Sequence, residues 1–207
     1  MKHKILKGFV VIEGLDGSGT TTQLGLLSQK FRKANINVFP TNEPTDYPFG
    51  KLIRSVLKKE INAEPGTLAR LFAADRYEHI YNKHNGIIRN IDNGVCVICD
   101  RYLFSSLAYQ SLECGFNEVF ELNKDFPLPE HLFFIDTPIE VCQRRIGART
   151  EREIFEFAEM QDSILKNYQK SFDVFKDSQM KFHKIDGSEN EKNICLNLWN
   201  KLFPAEK

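Results

Sequence analysis

Three segments of this 207-residue sequence combine residue types and spacings suited to chemistry. The first is Gly14-Leu15-Asp16-Gly17-Ser18-Gly19-Thr20-Thr21-Thr22. Its spacing follows G-x-x-x-x-G-K-[ST], in which glycines let successive backbone N–H groups turn inward around phosphate oxygens while the next helix aims its positive end at them. Thr21 stands where a hydroxyl meets Mg²⁺, but Thr20 replaces the lysine of the pattern. The same glycines also suit a strand-to-helix turn that binds nothing. The second segment is Asp100-Arg101-Tyr102 followed by Ser105, Ser106, Tyr109 and Gln110. A strand-end Asp can hold metal-bound water, the adjoining Arg can clamp a phosphate with two N–H groups, and Ser, Tyr and Gln a helical turn later can address a sugar or base edge. A structural ion pair at a helix start fits these residues equally. The third segment is basic. Arg144, Arg145, Arg149 and Arg152 place four of the chain's ten arginines in nine residues, and Gly147 and Ala148 interrupt the helical pattern between the pairs. That suits a lid closing over an anion, and equally a solvated helix face paired with Glu151 and Glu153.

The elements around these segments alternate. Apolar runs predict strands at Gly8–Glu13, Ile36–Phe39, Val95–Asp100 and Leu132–Asp136, with a weaker one at Lys181–Asp186. Helical periodicity predicts Thr20–Asn35, Phe49–Lys59, one or two helices over Pro65–Ile91 with an irregularity at Gly86, Tyr102–Ser111, Ile139–Ile146, Ile154–Phe175 and Glu189–Leu202. This alternation predicts an α/β fold, an open, mostly parallel five-stranded sheet flanked by helices, forming one unit over 1–207. In such sheets ligands bind beyond the carboxyl ends of the strands. The glycine loop, Asn42-Glu43-Pro44 and Asp100-Arg101-Tyr102 all fall there.

Composition narrows the classes. Lys plus Arg and Asp plus Glu are each 28, so the net charge is zero, which argues against nucleic-acid binding by bulk charge. No apolar run approaches the roughly 20 residues that span a bilayer, so a membrane role is not expected. The basic N-terminus lacks a following apolar segment, which together with five unpaired-looking cysteines predicts a cytoplasmic protein without a signal peptide. Cys96 and Cys99 form C-x-x-C on a predicted strand, where odd spacing puts their side chains on opposite faces.

The order of these motifs resembles that of the thymidylate kinases, phosphate-loop nucleoside monophosphate kinases that convert dTMP and ATP to dTDP and ADP. The resemblance runs over essentially the whole chain. It is carried by Phe9 to Gly19 with Thr21-Thr22-Gln23, Glu43-Pro44, Gly50 to Arg54, Leu71-Phe72-Ala73-Ala74-Asp75-Arg76, Asp100-Arg101-Tyr102 with Ser105-Ser106 and Ala108-Tyr109-Gln110, and Ile185-Asp186. It implies a phosphate-loop hydrolase-like fold with an arginine-containing lid at about 144–153, ATP as co-substrate, Mg²⁺, and a homodimer. It also implies roles: Gly14 to Thr22 and Arg144 on ATP, Phe72 stacked on thymine, Arg76 on its O4, Ser106 and Gln110 near the base, and Ser105 among the substrate-binding residues. Tyr109 would lie against the sugar's 2′ position and Asp16 at its 3′-hydroxyl. Arg54 and Arg101 would hold the acceptor phosphate, and Thr21, Glu43 and Asp100 would lie at the metal. Gly17 and Ser18 leave no basic residue inside the loop, so the chain resembles the members that place an arginine in the lid; Arg149 is then the expected transition-state contact, beside Arg101 and Asp100. Two departures stand out. Thr20 removes the loop lysine, and Asn42 precedes Glu43 where many members carry Arg. A kinase of another nucleotide such as dUMP, or a nucleotide-binding protein of weak activity, therefore stay open as alternatives.

Overall fold

The computed structural model describes residues 3–147 and 158–204. In chain order the elements are β1 (Ile5–Gly14), α1 (Thr20–Lys33), β2 (Val38–Asn42), α2 (Pro48–Leu57), α3 (Pro65–Tyr81), α4 (Ile87–Asp92), β3 (Cys96–Asp100), α5 (Leu103–Tyr109), α6 (Ser111–Cys114), α7 (Phe116–Asn123), β4 (Leu128–Asp136), α8 (Ile139–Gly147), α9 (Ala158–Phe175), β5 (Lys181–Asp186) and α10 (Glu191–Leu202). The five strands form one sheet in the order β2-β3-β1-β4-β5, and every pairing is parallel.

The apolar strands are buried on both faces, which is why they read as nearly continuous hydrophobic runs. Phe9, Val11, Val97, Cys99, Leu132 and Phe134 face the side covered by α2–α5, α7 and α9. Val10, Ile12, Ile98, Phe133, Ile135 and Ile185 face the side covered by α1 and α10. Cys99 packs into the first layer and Cys96 against the second, as odd strand spacing requires. Each fully buried large apolar side chain contributes about 1.5–3 kcal/mol.

The topology fixes where a ligand can enter. The helix after β1 lies on one face and the helix after β3 on the other, although β1 and β3 are neighbours. Their loops part at the carboxyl ends and leave a crevice. In the ladders Ile12 pairs with Asp100, and Asn42 pairs with Asp100 from the other side.

The structure extends several expected elements. β1 begins at Ile5 and β4 at Leu128, because ladder pairing of Ile5 with Leu128 recruits residues that carry no apolar run. β2 accommodates Pro40, which an edge strand tolerates because its N–H side needs no partner. The helical region 65–91 is two helices. Asn82 Oδ1 accepts the backbone N–H groups of His84 and Asn85 and turns the chain between them. Two helices went unforeseen, α6 and α7, separated by Gly115 at φ 78°.

Candidate active site

The phosphate-loop segment joins β1 to α1. The N–H of Ser18 donates to the carbonyl of Leu15 at 3.0 Å, closing the turn. Gly17 has φ 81°, and a Cβ there would lie 2.6 Å from the carbonyl oxygen of Cys142, so α8 rests directly on the loop. Helix α1 starts with no side-chain cap and no acidic residue in its first turn. Its leading N–H groups and positive end therefore point into the loop, the arrangement that receives an anion. The hydroxyl of Ser18 is buried there without a hydrogen-bond partner among the described residues.

Across the β1–β3 crevice Thr21 Oγ1 donates to Asp100 Oδ2 at 2.6 Å. The other carboxylate oxygen of Asp100 is buried and unpartnered among the described residues. A hydroxyl beside a carboxylate with an unused buried oxygen fits a hard divalent cation.

Beyond this pair opens a cleft of about 370 Å³ lined by Asp16, Phe72, Arg76, Arg101, Tyr109 and Gln110 among others, within the size range of small-molecule sites. Arg101 stands at its centre. Its backbone is held at φ 69°, unfavourable for a side-chain-bearing residue, with its N–H on the carbonyl of Ile12 at 2.9 Å. Nη2 donates to Asp16 at 2.5 Å and Nη1 to Ser105 Oγ at 3.1 Å, while the guanidinium lies 5.1 Å from the centre of the Tyr109 ring. The N–H of Asp16 in turn donates to Tyr109 Oη at 3.1 Å. Burial holds the Tyr109 phenol well above its ordinary range, so it stays neutral.

At the far end Phe72 is half-buried and Arg76 almost fully so. The Arg76 guanidinium is fixed on three sides: by Glu43 Oε2 (Nε 2.9 Å, Nη2 2.7 Å), by Ser106 Oγ at 3.0 Å and by Asn123 Oδ1. His79 Nδ1 sits 3.0 Å from the other Glu43 oxygen, and Thr41 Oγ1 lies 2.8 Å from His79 Nε2. Gln110 lines the cleft, and its amide oxygen is buried and unpartnered among the described residues.

Several placements differ from those the sequence implied. Both carboxylate oxygens of Glu43 accept from or face Arg76 and His79, so Glu43 holds the Arg76 guanidinium while lining the same cleft as Thr21 and Asp100. Arg54 does not line the cleft; it donates to the carbonyls of Thr45 (2.5 Å) and Pro44 (2.6 Å) and pairs with Asp46 at 3.2 Å, holding the loop after β2. Arg144 is exposed on α8, and it is Arg145 whose Nη1 reaches the carbonyls of Gly17 (3.1 Å) and Ser18 (3.2 Å). Arg149 and Arg152 lie outside the described residues. Ser105 lines the cleft, with its hydroxyl engaged by Glu13, Arg101 and Tyr168.

Three supporting residues escaped the sequence reading. Glu13 is wholly buried and accepts from the N–H groups of Tyr102 (2.8 Å) and Ser105 (3.2 Å), from Ser105 Oγ (2.5 Å) and from Tyr168 Oη (2.9 Å). Burial pushes its carboxyl up to about 7, against the downward pull of Arg101 and its hydrogen-bond donors. A lone charge ending an apolar strand was the available signal. Asn123 and Tyr168 gave none, since each arrives from a distant helix.

One end of this crevice is shaped to receive phosphate groups, and the other holds a ring, a planar cation and amide groups suited to a flat base. Fold and site together define a phosphate-loop nucleotide kinase. The family model described as thymidylate kinase matches residues 12–195, and the chain belongs to that family. A relative from Treponema pallidum, a putative thymidylate kinase, is 46% identical over 169 residues, covering 81% of this chain and 80% of that protein. A probable thymidylate kinase from Pyrococcus abyssi is 38% identical over 83% of this chain and 86% of its own length. Among solved structures, thymidylate kinase from Candida albicans superposes with a TM-score of 0.73 at 22% identity, covering 94% of this chain and 90% of that one.

Proposed function

We propose that this chain transfers the γ-phosphoryl group of ATP to dTMP, giving dTDP and ADP. The carrying observation is that the Thr21–Asp100 pair, Arg101 and the Phe72–Arg76 end all line one cleft. The glycine loop and the start of α1 hold the donor phosphates. Phe72 and Arg76 bind the base, an aromatic face beside a planar donor, with Asn123, Ser106 and Glu43 fixing the guanidinium in place. Tyr109 and Asp16 border the sugar, and Arg101 meets the acceptor phosphate. Because both reactants are anions, alignment and charge cancellation supply most of the rate. Thr21 and Asp100 are the residues that would hold Mg²⁺, which when bound neutralises phosphate charge. Arg101 is pre-set by Asp16, Ser105 and Tyr109 and needs no large reorganisation.

The chain is further read as a cytoplasmic homodimer. In support, Phe49 and Leu52 on α2 and Tyr77 and Tyr81 on α3, two helices packed together, leave apolar surface exposed. The test is a coupled assay of ADP release from Mg-ATP, without acceptor and with dTMP, dUMP, dCMP and UMP. Release driven by dTMP is expected, with dUMP poorer by about 5- to 150-fold, the range one methyl group gives. Absence of ADP release with every acceptor would overturn the reading and leave nucleotide binding without turnover.

A further inference from the structure

Glu13 does not line the cleft, yet its carboxyl lies one hydroxyl away from Arg101. Its two oxygens meet different kinds of partner. Oε1 faces the backbone N–H groups of Tyr102 at 2.8 Å and Ser105 at 3.2 Å, which can only donate. Among the described residues Oε2 meets hydroxyls alone, Ser105 Oγ at 2.5 Å and Tyr168 Oη at 2.9 Å, which can donate or accept. These hydroxyls stand 2.9 Å apart, and Tyr168 Oη lies 3.2 Å from the carbonyl oxygen of Gly14. Arg101 Nη1 donates to both, at 3.1 and 3.4 Å. Counting protons separates the two states of the carboxyl. With Glu13 ionised, both hydroxyls turn their single proton to Oε2, and the Ser105–Tyr168 and Tyr168–Gly14 contacts have none. With a proton on Oε2, Glu13 donates to Ser105, Ser105 to Tyr168 and Tyr168 to Gly14, so three of the four contacts are filled. Both hydroxyl oxygens still accept from Arg101. Burial favours the same form, pushing the carboxyl up to about 7 against Arg101. Around it Cys99 of β3, Tyr102 just after β3, Tyr109 of α5 and Tyr168 of α9 are held up by burial and stay neutral. Arg101 is the charge at its side, with Asp16 beyond on Nη2.

We propose that Glu13 is a positioning residue for Arg101, which as a neutral carboxyl aligns the two hydroxyls that carry Nη1 and must keep its proton for Arg101 to hold the acceptor phosphate. This rests on the kinase reading above and deepens it at the acceptor end. Arg101 already shares its charge with Asp16 through Nη2. A second carboxylate behind it would compete with the acceptor dianion for one guanidinium, in a buried setting where solvent screens little. The neutral form supplies alignment without that competition. The same chain of hydroxyls ends on Gly14, the first residue of the phosphate loop, so the acceptor arginine and the donor loop share one support.

The experiment binds dTMP and thymidine to the parent chain and to Glu13→Gln by calorimetry from about pH 6 to 9, in buffers of different ionisation enthalpy. Glutamine keeps the acceptor oxygen and the donor but has no proton to lose. At about pH 7.5 the parent should take up about half a proton more per dTMP than the variant. Between about pH 6 and 9 it should lose dTMP affinity about tenfold relative to the variant, as acceptor binding tightens the hold on the Glu13 proton by that factor. Thymidine brings no phosphate to Arg101 and should show neither difference. In turnover, Glu13→Ala should raise the KM for dTMP about tenfold with ATP affinity nearly unchanged, and Glu13→Gln should recover most of that loss. Equal proton uptake by the parent and Glu13→Gln overturns the proposal, as does an equal difference with thymidine. A parent that binds dTMP with this proton uptake but does not turn over sinks the kinase reading alone, and one that binds no dTMP overturns both. Should Glu13→Ala fail to fold, the glutamine comparison decides by itself. A purely structural Glu13 would shift the melting temperature and leave the proton count where it was.

Discussion

Replacing Glu13 by Gln should stabilise the protein strongly at neutral and alkaline pH and only slightly at pH 5. The buried carboxyl of Glu13 ties β1 to the start of α5 and to Tyr168 on α9. Burial raises it from an ordinary 4.5 to about 7, Arg101 and the hydrogen bonds only partly opposing. The native state therefore binds this proton more tightly than the unfolded chain. Its contribution is fully present below about 4.5 and is lost as pH climbs through about 7. The gap between those two values corresponds to about 3 kcal/mol of stability forgone at pH 8. Glutamine mimics the protonated form. Its carbonyl oxygen can accept both backbone N–H groups, and its amide can donate to the hydroxyls of Ser105 and Tyr168. Urea unfolding of both proteins at pH 5, 6, 7 and 8 gives the stability difference directly. Titration of other groups cancels in the comparison. The advantage of the variant should be about 1 kcal/mol at pH 5 and grow to about 3 kcal/mol by pH 8. A difference that stays flat across this range, or that shrinks as pH rises, would refute the argument that native Glu13 retains a proton.

Phe72→Ala should weaken dTMP binding by about 5- to 150-fold, the worth of stacking one base on an aromatic ring, with ATP affinity unchanged by calorimetry. Asn123→Ala should raise the KM for dTMP about tenfold with kcat nearly unchanged, since it releases only one side of the Arg76 guanidinium; an equal fall in kcat would place Asn123 closer to the chemistry. Asp100→Asn should reduce kcat by at least about 10²-fold while dTMP affinity stays within threefold, because it alters the group beside Thr21 and not the base end of the cleft. Mg²⁺ titration of activity in this variant should shift to higher concentration.

The parts of the site legible in the sequence are those that local chain geometry dictates. The glycine loop between an apolar strand and a helix needs only its own residues to adopt its turn, and φ 81° at Gly17 and 100° at Gly19 follow from glycine's freedom. Strand-end Asp100 and Arg101 could be placed because parallel sheets put such ends at one edge. All five strands and most helices showed themselves through apolar runs and periodicity, whereas α6, of four residues, is too short to show any. The placements of Glu43 and Arg54 differ from the sequence reading for one reason. Glu43 reads as a metal neighbour because it follows β2, but Arg76 and His79 arrive from α3 and take both its oxygens. Arg54 reads as a phosphate ligand, but the loop after β2 folds back and offers it carbonyls.

Sequence by itself determined the glycine-rich strand-to-helix loop and the parallel sheet, since each rests on spacing and periodicity within short segments. Tertiary structure decided which of two adjacent arginines meets the loop. Arg144 and Arg145 are neighbours of the same chemistry, about 100° apart around a helix. Docking of α8 through Cys142 and Ile146 turns the i+3 position, Arg145, toward Gly17 and Ser18 and leaves Arg144 exposed. That choice depends on how two distant segments pack, and no local spacing encodes it.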